Sequence, residues 1–390
     1  MVKELEDTFR KLFGRPASQV FFAPGRVNLI GEHIDYNGGH VFPCALTLGT
    51  YAAVRRREDR ELCLYSRDQK EAGVLKVSLD DLVYSEKDGW ANYVKGVVWA
   101  YEKAGFVLPS GFDFVCGGTI PRQSGLSSSA SLEIVIGAAL AGLYGFSVDP
   151  VRNAKLGQEA ENRFVGMNCG IMDQFACAMG KKEHAIFLDT SKLDYQYVPV
   201  RFPEEELVII NSNKPHQLTD SAYNERRNQC GRALEEIRGF WREIPSLCAL
   251  TPEMFEAAAG KMTDAVCRRR ARHAVYENAR TVKACEVLAA GDLAAFGRLM
   301  NESHRSLKED FEVSCGELDF LAEEAAGFPG VVGARMTGGG FGGCTVNIVK
   351  KEAVSGFAEE IVKRYRAKTG YEPSVYRADI GDGPRRIKGD

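Results

Sequence analysis

The stretch Gly117–Ser131, GGTIPRQSGLSSSAS, constrains this chain more than any other. An alternating, strand-like run, Phe112–Val115, leads into the glycine pair. The chain then bends at Pro121, passes Gly125 and enters Ser127, Ser128 and Ser129. The apolar, helix-forming run Leu132–Leu143 follows at once. A helix start leaves backbone N–H groups unpaired and carries partial positive charge. Small residues let an anion come close, so the loop is read as a phosphate cradle over Gly125, Leu126, Ser127, Ser128, Ser129 and Ala130. The serine hydroxyls are candidate phosphate donors or ligands for a hard cation such as Mg²⁺. The plainer alternative is that Ser127 caps the helix and the glycines make a turn. The loop is neither a Walker A sequence, since no Gly-Lys-Ser/Thr follows the glycines, nor a clean GxGxxG.

The chain's 390 residues allow two domains and a sizeable core. With 45% apolar residues, 26% charged residues and a net charge of −3, it reads as a globular protein without bulk attraction to nucleic acid or an acidic membrane. The basic runs Arg55–Arg57 and Arg268–Arg270 are balanced by acidic neighbours. The amphipathic start, MVKELEDTFRKLFG, lacks the apolar core of a signal peptide. The longest apolar run, Ile134–Phe146, is shorter than the roughly 20 residues a membrane span needs. The 11 cysteines form no CxxC pair, which argues against a disulfide framework or a structural zinc and for the reducing cytoplasm. Cys44, Cys116, Cys177 and Cys344 read as core thiols; Cys169 has nothing nearby to mark it as a nucleophile.

Along the chain, a strand over Val20–Ala23 leads into a dense polar segment. Arg26, Asn28, Glu32, His33, Asp35, Tyr36 and Asn37 crowd between glycines and are flanked by apolar anchors. Carboxylates accept from hydroxyls and Arg and His donate, so the segment suits a polyhydroxylated ligand. Strands are expected over Ala45–Arg57, Leu62–Arg67 and Val74–Leu79, and helices over Trp90–Ala104 and Val151–Phe164. Asp173 lies in an apolar helical stretch, where a carboxylate must be paired or employed. Strands His184–Leu188, Tyr195–Val200 and Leu207–Asn211 surround a linker at Lys192–Glu206, the expected domain boundary. Helical patterns then dominate up to Ala326. Tyr223, in one of them, reads alone as a packing residue. In TGGGFGG, five glycines in six positions join two strand-like pieces, predicting either a hairpin or a loop close to a ligand. A helix over Ser355–Thr369 and a strand over Ser374–Ile380 close the pattern.

Three segments, GRVNLIGEHIDY, GLSSSAS after Pro121, and TGGGFGG, together resemble the GHMP small-molecule kinase superfamily. The first segment and GIMDQF narrow the resemblance to galactokinases, as do KPHQLTDSAYNERR and SHRSLKEDFEVSCGELD. The likeness covers nearly the whole chain. It implies an α+β, mixed two-domain fold: a ribosomal-protein-S5-like unit at 1–198, a ferredoxin-like unit at 199–390, and the active site in the cleft between. It implies ATP-dependent phosphorylation of D-galactose at the anomeric hydroxyl, with Mg²⁺. By matched position, Asp173 is the catalytic base or orienter and Arg26 its catalytic partner. Glu32, His33, Asp35, Gly170 and Tyr223 hold the sugar, and Ser129 (or Ser128) and Glu161 hold the metal. Asn162 departs from the pattern, standing where many relatives have His. Other sugars such as N-acetylgalactosamine or L-arabinose, and a non-catalytic galactose and ATP sensor, are the alternatives. A monomer is expected, with a homodimer as the alternative.

Overall fold

The computed structural model describes residues 1–389 apart from 122–123, 216–218 and the side chains of 219–220. The Arg122–Gln123 part of the opening loop and the HQL of KPHQLTD therefore lie outside the described residues.

A six-stranded sheet runs in the order Arg385–Lys388, Gln19–Asn28, Pro43–Arg56, Phe112–Gly118, Glu61–Ser66 and Leu75–Ser78. Neighbours are antiparallel except Glu61–Ser66 and Phe112–Gly118, which run parallel. The register of Gln19–Asn28 against Pro43–Arg56 shifts between Pro24 and Arg26. Proline cannot donate to the ladder, and a bulge re-aims the side chains beyond it. The side chain beyond this one is Arg26. The strand therefore continues through Asn28, further than the expected Val20–Ala23, and is buried along nearly all its length. Buried backbone of this kind explains why its polar residues find fixed partners.

The helix predicted after the serine loop begins at Ser128 and ends at Tyr144. It packs on Gln19–Asn28 and Pro43–Arg56. Its middle, residues 130–140, is apolar on most sides because it is buried or half-buried throughout. The helix expected over Val151–Phe164 runs as an α-helix only over Pro150–Glu159; Ala160–Val165 then widens into a π-helical turn. Such turns recur at functional sites. This one carries Glu161 and Asn162.

In the C-terminal half, Glu205–Asn211, Val331–Thr337, Cys344–Lys350 and Ser374–Ala378 form a four-stranded antiparallel sheet. Helices separate the first strand from the second and the third from the fourth, giving the split β-α-β-β-α-β arrangement of a ferredoxin-like unit. A small sheet pairs His40–Val41 with His184–Asp189, and that strand with Asp194–Pro199. The last strand, Arg385–Lys388, was not legible in the sequence: all its residues are exposed, so it lacks an apolar pattern. It pairs with Gln19–Asn28 and crosses the 198/199 boundary expected between the two halves. One apolar core joins Val27, Leu29 and Phe42 of the first half to Leu207, Ile209 and Val346 of the second. No described helix is long and apolar enough to cross a membrane. Cys44, Cys116, Cys177 and Cys344 are buried free thiols, as their apolar contexts predicted.

Candidate active site

Arg26 leaves its strand at the bulge and is 3% exposed. Its Nε donates to Asp173 Oδ1 at 3.0 Å and its Nη2 to Asp173 Oδ2 at 2.9 Å. This forked, charge-assisted pairing fixes the carboxylate's plane as well as its charge. Burial alone would lower the guanidinium's pKa, but the Asp173 and Glu32 carboxylates outweigh it and raise it. The third arm, Nη1, donates to the Gly125 carbonyl at 2.6 Å, and the Arg26 backbone N–H donates to the Leu126 carbonyl at 3.2 Å. One residue thus ties Asp173 to the serine loop. Asp173 stands in the first turn of the helix Met172–Met179, and 31% of its side chain remains accessible. The expected apolar helix is there, but the carboxylate sits at its open end, where the unpaired backbone N–H groups favour negative charge.

A cavity of about 190 Å³ opens at this carboxylate. Arg26, Glu32, His33, Asp35, Ser129, Glu161, Gly170, Asp173 and Tyr223 all line it. Gly338 and Gly339 of TGGGFGG close another side. That loop is both a hairpin connection and a wall of this cavity. Gly340 shows why glycine is needed: its φ is +82°, and a Cβ there would stand 2.2 Å from the Val313 carbonyl oxygen. Gly170 is needed for another reason, because a Cβ would fall 1.8 Å from Asp35 Oδ2. A larger groove of about 1150 Å³, lined by Leu46, Phe202 and Arg377 among others, includes none of these residues.

The sugar-loop residues are held firmly. Glu32, 1% exposed, accepts through one oxygen from Gly338 N at 2.8 Å, Thr337 Oγ1 at 3.2 Å and Arg335 Nη1 at 3.3 Å. His33 shares Nδ1 with the Tyr36 hydroxyl at 2.8 Å and Nε2 with the Gly339 carbonyl at 3.1 Å. A carbonyl only accepts, so Nε2 carries the proton and Nδ1 accepts from Tyr36. Burial, with His273 nearby, pushes its pKa down to about 3 and keeps the ring neutral. Both ring nitrogens are therefore engaged within the protein. His33 faces the cavity as part of an aromatic wall with Tyr223, whose ring lies 5.4 Å away. Asp35 accepts from the N–H groups of Tyr36 at 2.9 Å and Met172 at 3.3 Å. Burial and then the Asp173 charge raise its pKa to about 6.

The serine-loop side is more open. Gly125 and Ser128 are exposed, Ser129 is half-buried and Leu126, Ser127 and Ala130 are buried. Ser127 does not cap the helix through its side chain. Its hydroxyl donates instead to Asp173 Oδ2 at 2.6 Å. Ser129 donates toward Glu161, which also accepts from Gln174 Nε2 at 2.6 Å. Burial, then Asp173, raises the Glu161 pKa to about 7. The same Gln174 amide donates to Glu133 Oε2 at 2.9 Å. Glu133 was missed in the sequence, although a lone carboxylate in the apolar run SLEIVIG was a signal. Asn162 accepts from Cys169 N at 2.9 Å and donates to Cys169 O at 3.1 Å, pinning the segment next to Gly170. Burial and Glu161 push the Cys169 thiol's pKa up, away from nucleophilic use.

Among the described residues no group of three or more His, Cys, Asp or Glu gathers as a metal cluster. A cation that shares its ligands with nucleotide phosphates does not need one. The donor set fits such a hard cation. Ser129 and Glu161 offer oxygen, and the buried Glu133 Oε1 and Gln174 Oε1 have no hydrogen-bond partner.

Comparison with known proteins defines the class first. Residues 92–181 match the GHMP kinases N terminal domain and residues 282–367 the GHMP kinases C terminal domain. The mevalonate kinase of Methanococcus jannaschii shares the fold, with a TM-score of 0.69 at 18% identity over 94% of this chain and 100% of that one. Residues 7–56 match the galactokinase galactose-binding signature. The galactokinase of Clostridium beijerinckii is 50% identical over 386 residues, 99% of each chain. That of Bacillus subtilis is 48% identical over 391 residues, the full length of both. The crystal structure of Lactococcus lactis galactokinase complexed with galactose superposes with a TM-score of 0.96 at 44% identity, covering 99% of this chain and 100% of that one. The chain belongs to the galactokinase family of GHMP kinases.

Proposed function

We propose that this chain phosphorylates D-galactose at its anomeric hydroxyl with ATP, giving α-D-galactose 1-phosphate, and that Asp173 and Arg26 carry the chemistry. The observation behind the residue roles is the forked Arg26–Asp173 pair at the cavity, between the sugar loop and the serine loop. Asp173 accepts a hydrogen bond from the 1-hydroxyl and orients its oxygen, then takes the proton as the phosphoryl group arrives. Arg26 fixes the carboxylate in place and offsets charge on the group in flight. The hydroxyl attacks the γ-phosphorus, the bond to the ADP oxygen breaks, and ADP leaves with that electron pair.

In this reading Asp35 accepts from the 3- and 4-hydroxyls and Glu32 from the 6-hydroxyl, with Gly170 and Tyr223 completing the pocket. An axial 4-hydroxyl paired with a carboxylate disfavours glucose, whose inverted centre leaves polar groups unpaired. Gly125–Ala130 cradles the ATP phosphates. Ser129 and Glu161 would hold Mg²⁺, which neutralises phosphate charge when bound.

The test is ADP release with ATP and Mg²⁺ across galactose, glucose, talose, 2-deoxygalactose, N-acetylgalactosamine and L-arabinose. Turnover on galactose and not on glucose is expected. Preference for another sugar would move the specificity to the pocket around C2 and C6. Galactose binding without turnover of any sugar would overturn the catalytic reading in favour of a sensor.

A further inference from the structure

Ser127 adopts a conformation that neither helix capping nor a simple turn accounts for. Its φ is 58° and its ψ 50°, the left-handed region, which is unfavourable for a residue bearing a Cβ. Its carbonyl still accepts from Ser131 N at 2.9 Å, so the helix starts normally. Its hydroxyl does not turn back to cap that helix; it reaches Asp173 Oδ2 at 2.6 Å. The residue is 8% exposed, whereas its neighbour Ser128 is exposed and Ser129 lines the cavity beside Glu161.

A hydroxyl has one proton to donate. Spent on Asp173, it is not offered to a phosphate oxygen. A carboxylate has about four acceptor directions. Arg26 Nη2 and Ser127 Oγ meet Oδ2, while Oδ1 receives Arg26 Nε at 3.0 Å and lies 2.8 Å from Nη2. Building on the role of Asp173 given above, we propose that Ser127 is a positioning residue for Asp173 and not a phosphate ligand. By donating to Oδ2 it fixes, with Arg26, the plane in which the carboxylate meets the sugar hydroxyl. The loop's phosphate contacts then fall to its backbone, Ser128 and Ser129. The left-handed backbone is the means, since it swings the hydroxyl off the helix axis.

Ser127→Gly tests this, because glycine accepts the left-handed backbone while removing the hydroxymethyl group that reaches Asp173. Losing one hydrogen bond to a charged group should lower kcat by about 10- to 100-fold. KM for ATP and the galactose dissociation constant should stay within about twofold of the parent. Repeating the substitution in Asp173→Asn, read with radiolabelled ATP, should change kcat by less than about twofold, because the two act as one unit. A raised KM for ATP with kcat preserved would make Ser127 a phosphate ligand and overturn the proposal. So would equal losses in both backgrounds. Unchanged turnover in Asp173→Asn alone would instead bring down the reading of Asp173, and this proposal with it.

Discussion

The two loops that meet at Asp173 are secured in different ways. The sugar loop is clamped by side chains from the far half of the chain. Glu277 accepts from Gly31 N at 3.0 Å, His273 Nε2 meets the Glu32 carbonyl at 3.1 Å, and Arg335 and Thr337 fix the Glu32 carboxylate. Glu277 is fully buried; burial would raise its pKa, but Arg280, His273 and Arg335 outweigh that and draw it down to about 2. It stays charged and also accepts from Ser303 at 2.5 Å. The serine loop has far less support. Arg26 holds it through the Gly125 and Leu126 carbonyls, and Gly125 and Ser128 remain exposed. The contrast suits the two ligands. A sugar is told from its epimers by fixed acceptors that cannot re-pair. A polyphosphate is gripped by many equivalent N–H donors and needs room to enter.

The contrast makes graded predictions. Asp35→Ala should weaken galactose binding by about 100-fold, since two hydrogen bonds to a charged acceptor are lost, and leave ATP binding within about twofold. Isothermal titration of each ligand measures this. Equal losses would show that Asp35 holds the fold and that the sugar side is not a dedicated site. The same carboxylate predicts a pH effect. Its pKa is raised to about 6, and sugar hydroxyls bind its charged form. KM for galactose should therefore rise as pH falls below about 6, approaching tenfold per unit. Asp35→Asn should flatten that rise.

Glu277→Gln keeps the shape and removes the charge that holds Gly31. It should raise KM for galactose by about tenfold and spare KM for ATP, although residue 277 does not line the cavity. An equal effect on both would mean that the clamp serves the whole cleft. Ser128→Ala should have the smallest effect, within about threefold and confined to KM for ATP, because its exposed hydroxyl is one donor among many. A large loss of kcat would contradict an open, redundant phosphate side.

Local signals made much of this legible in the sequence. Most strands and helices follow their apolar periods to within a few residues, and the crowding of polar groups between Arg26 and Asn37 marked a site before any contact was known. The partners of those groups were hidden. Glu277, in YENARTVKA, looks like one more charge on an amphipathic helix. Only the tertiary fold brings it to Gly31, 246 positions away in the chain. Arg335 and Glu32 are likewise separated by 303 positions. Tyr223 read alone as a packing residue, and its ring does pack on His33, so the cavity it lines was not visible from its helix. Ser127 misled in a different way. Its type and place fit a helix cap, and only the left-handed backbone turns its hydroxyl to Asp173.

The most direct measurement pairs turnover with binding in Asp173→Asn. Asparagine keeps the size and loses the charge that Arg26 grips and the capacity to take the sugar's proton. Turnover on galactose should fall by about 10³-fold while galactose, titrated calorimetrically, binds within about threefold of the parent. Turnover near the parent value, with galactose still bound, would remove Asp173 from the mechanism and leave the Arg26–Asp173 pair a structural clasp.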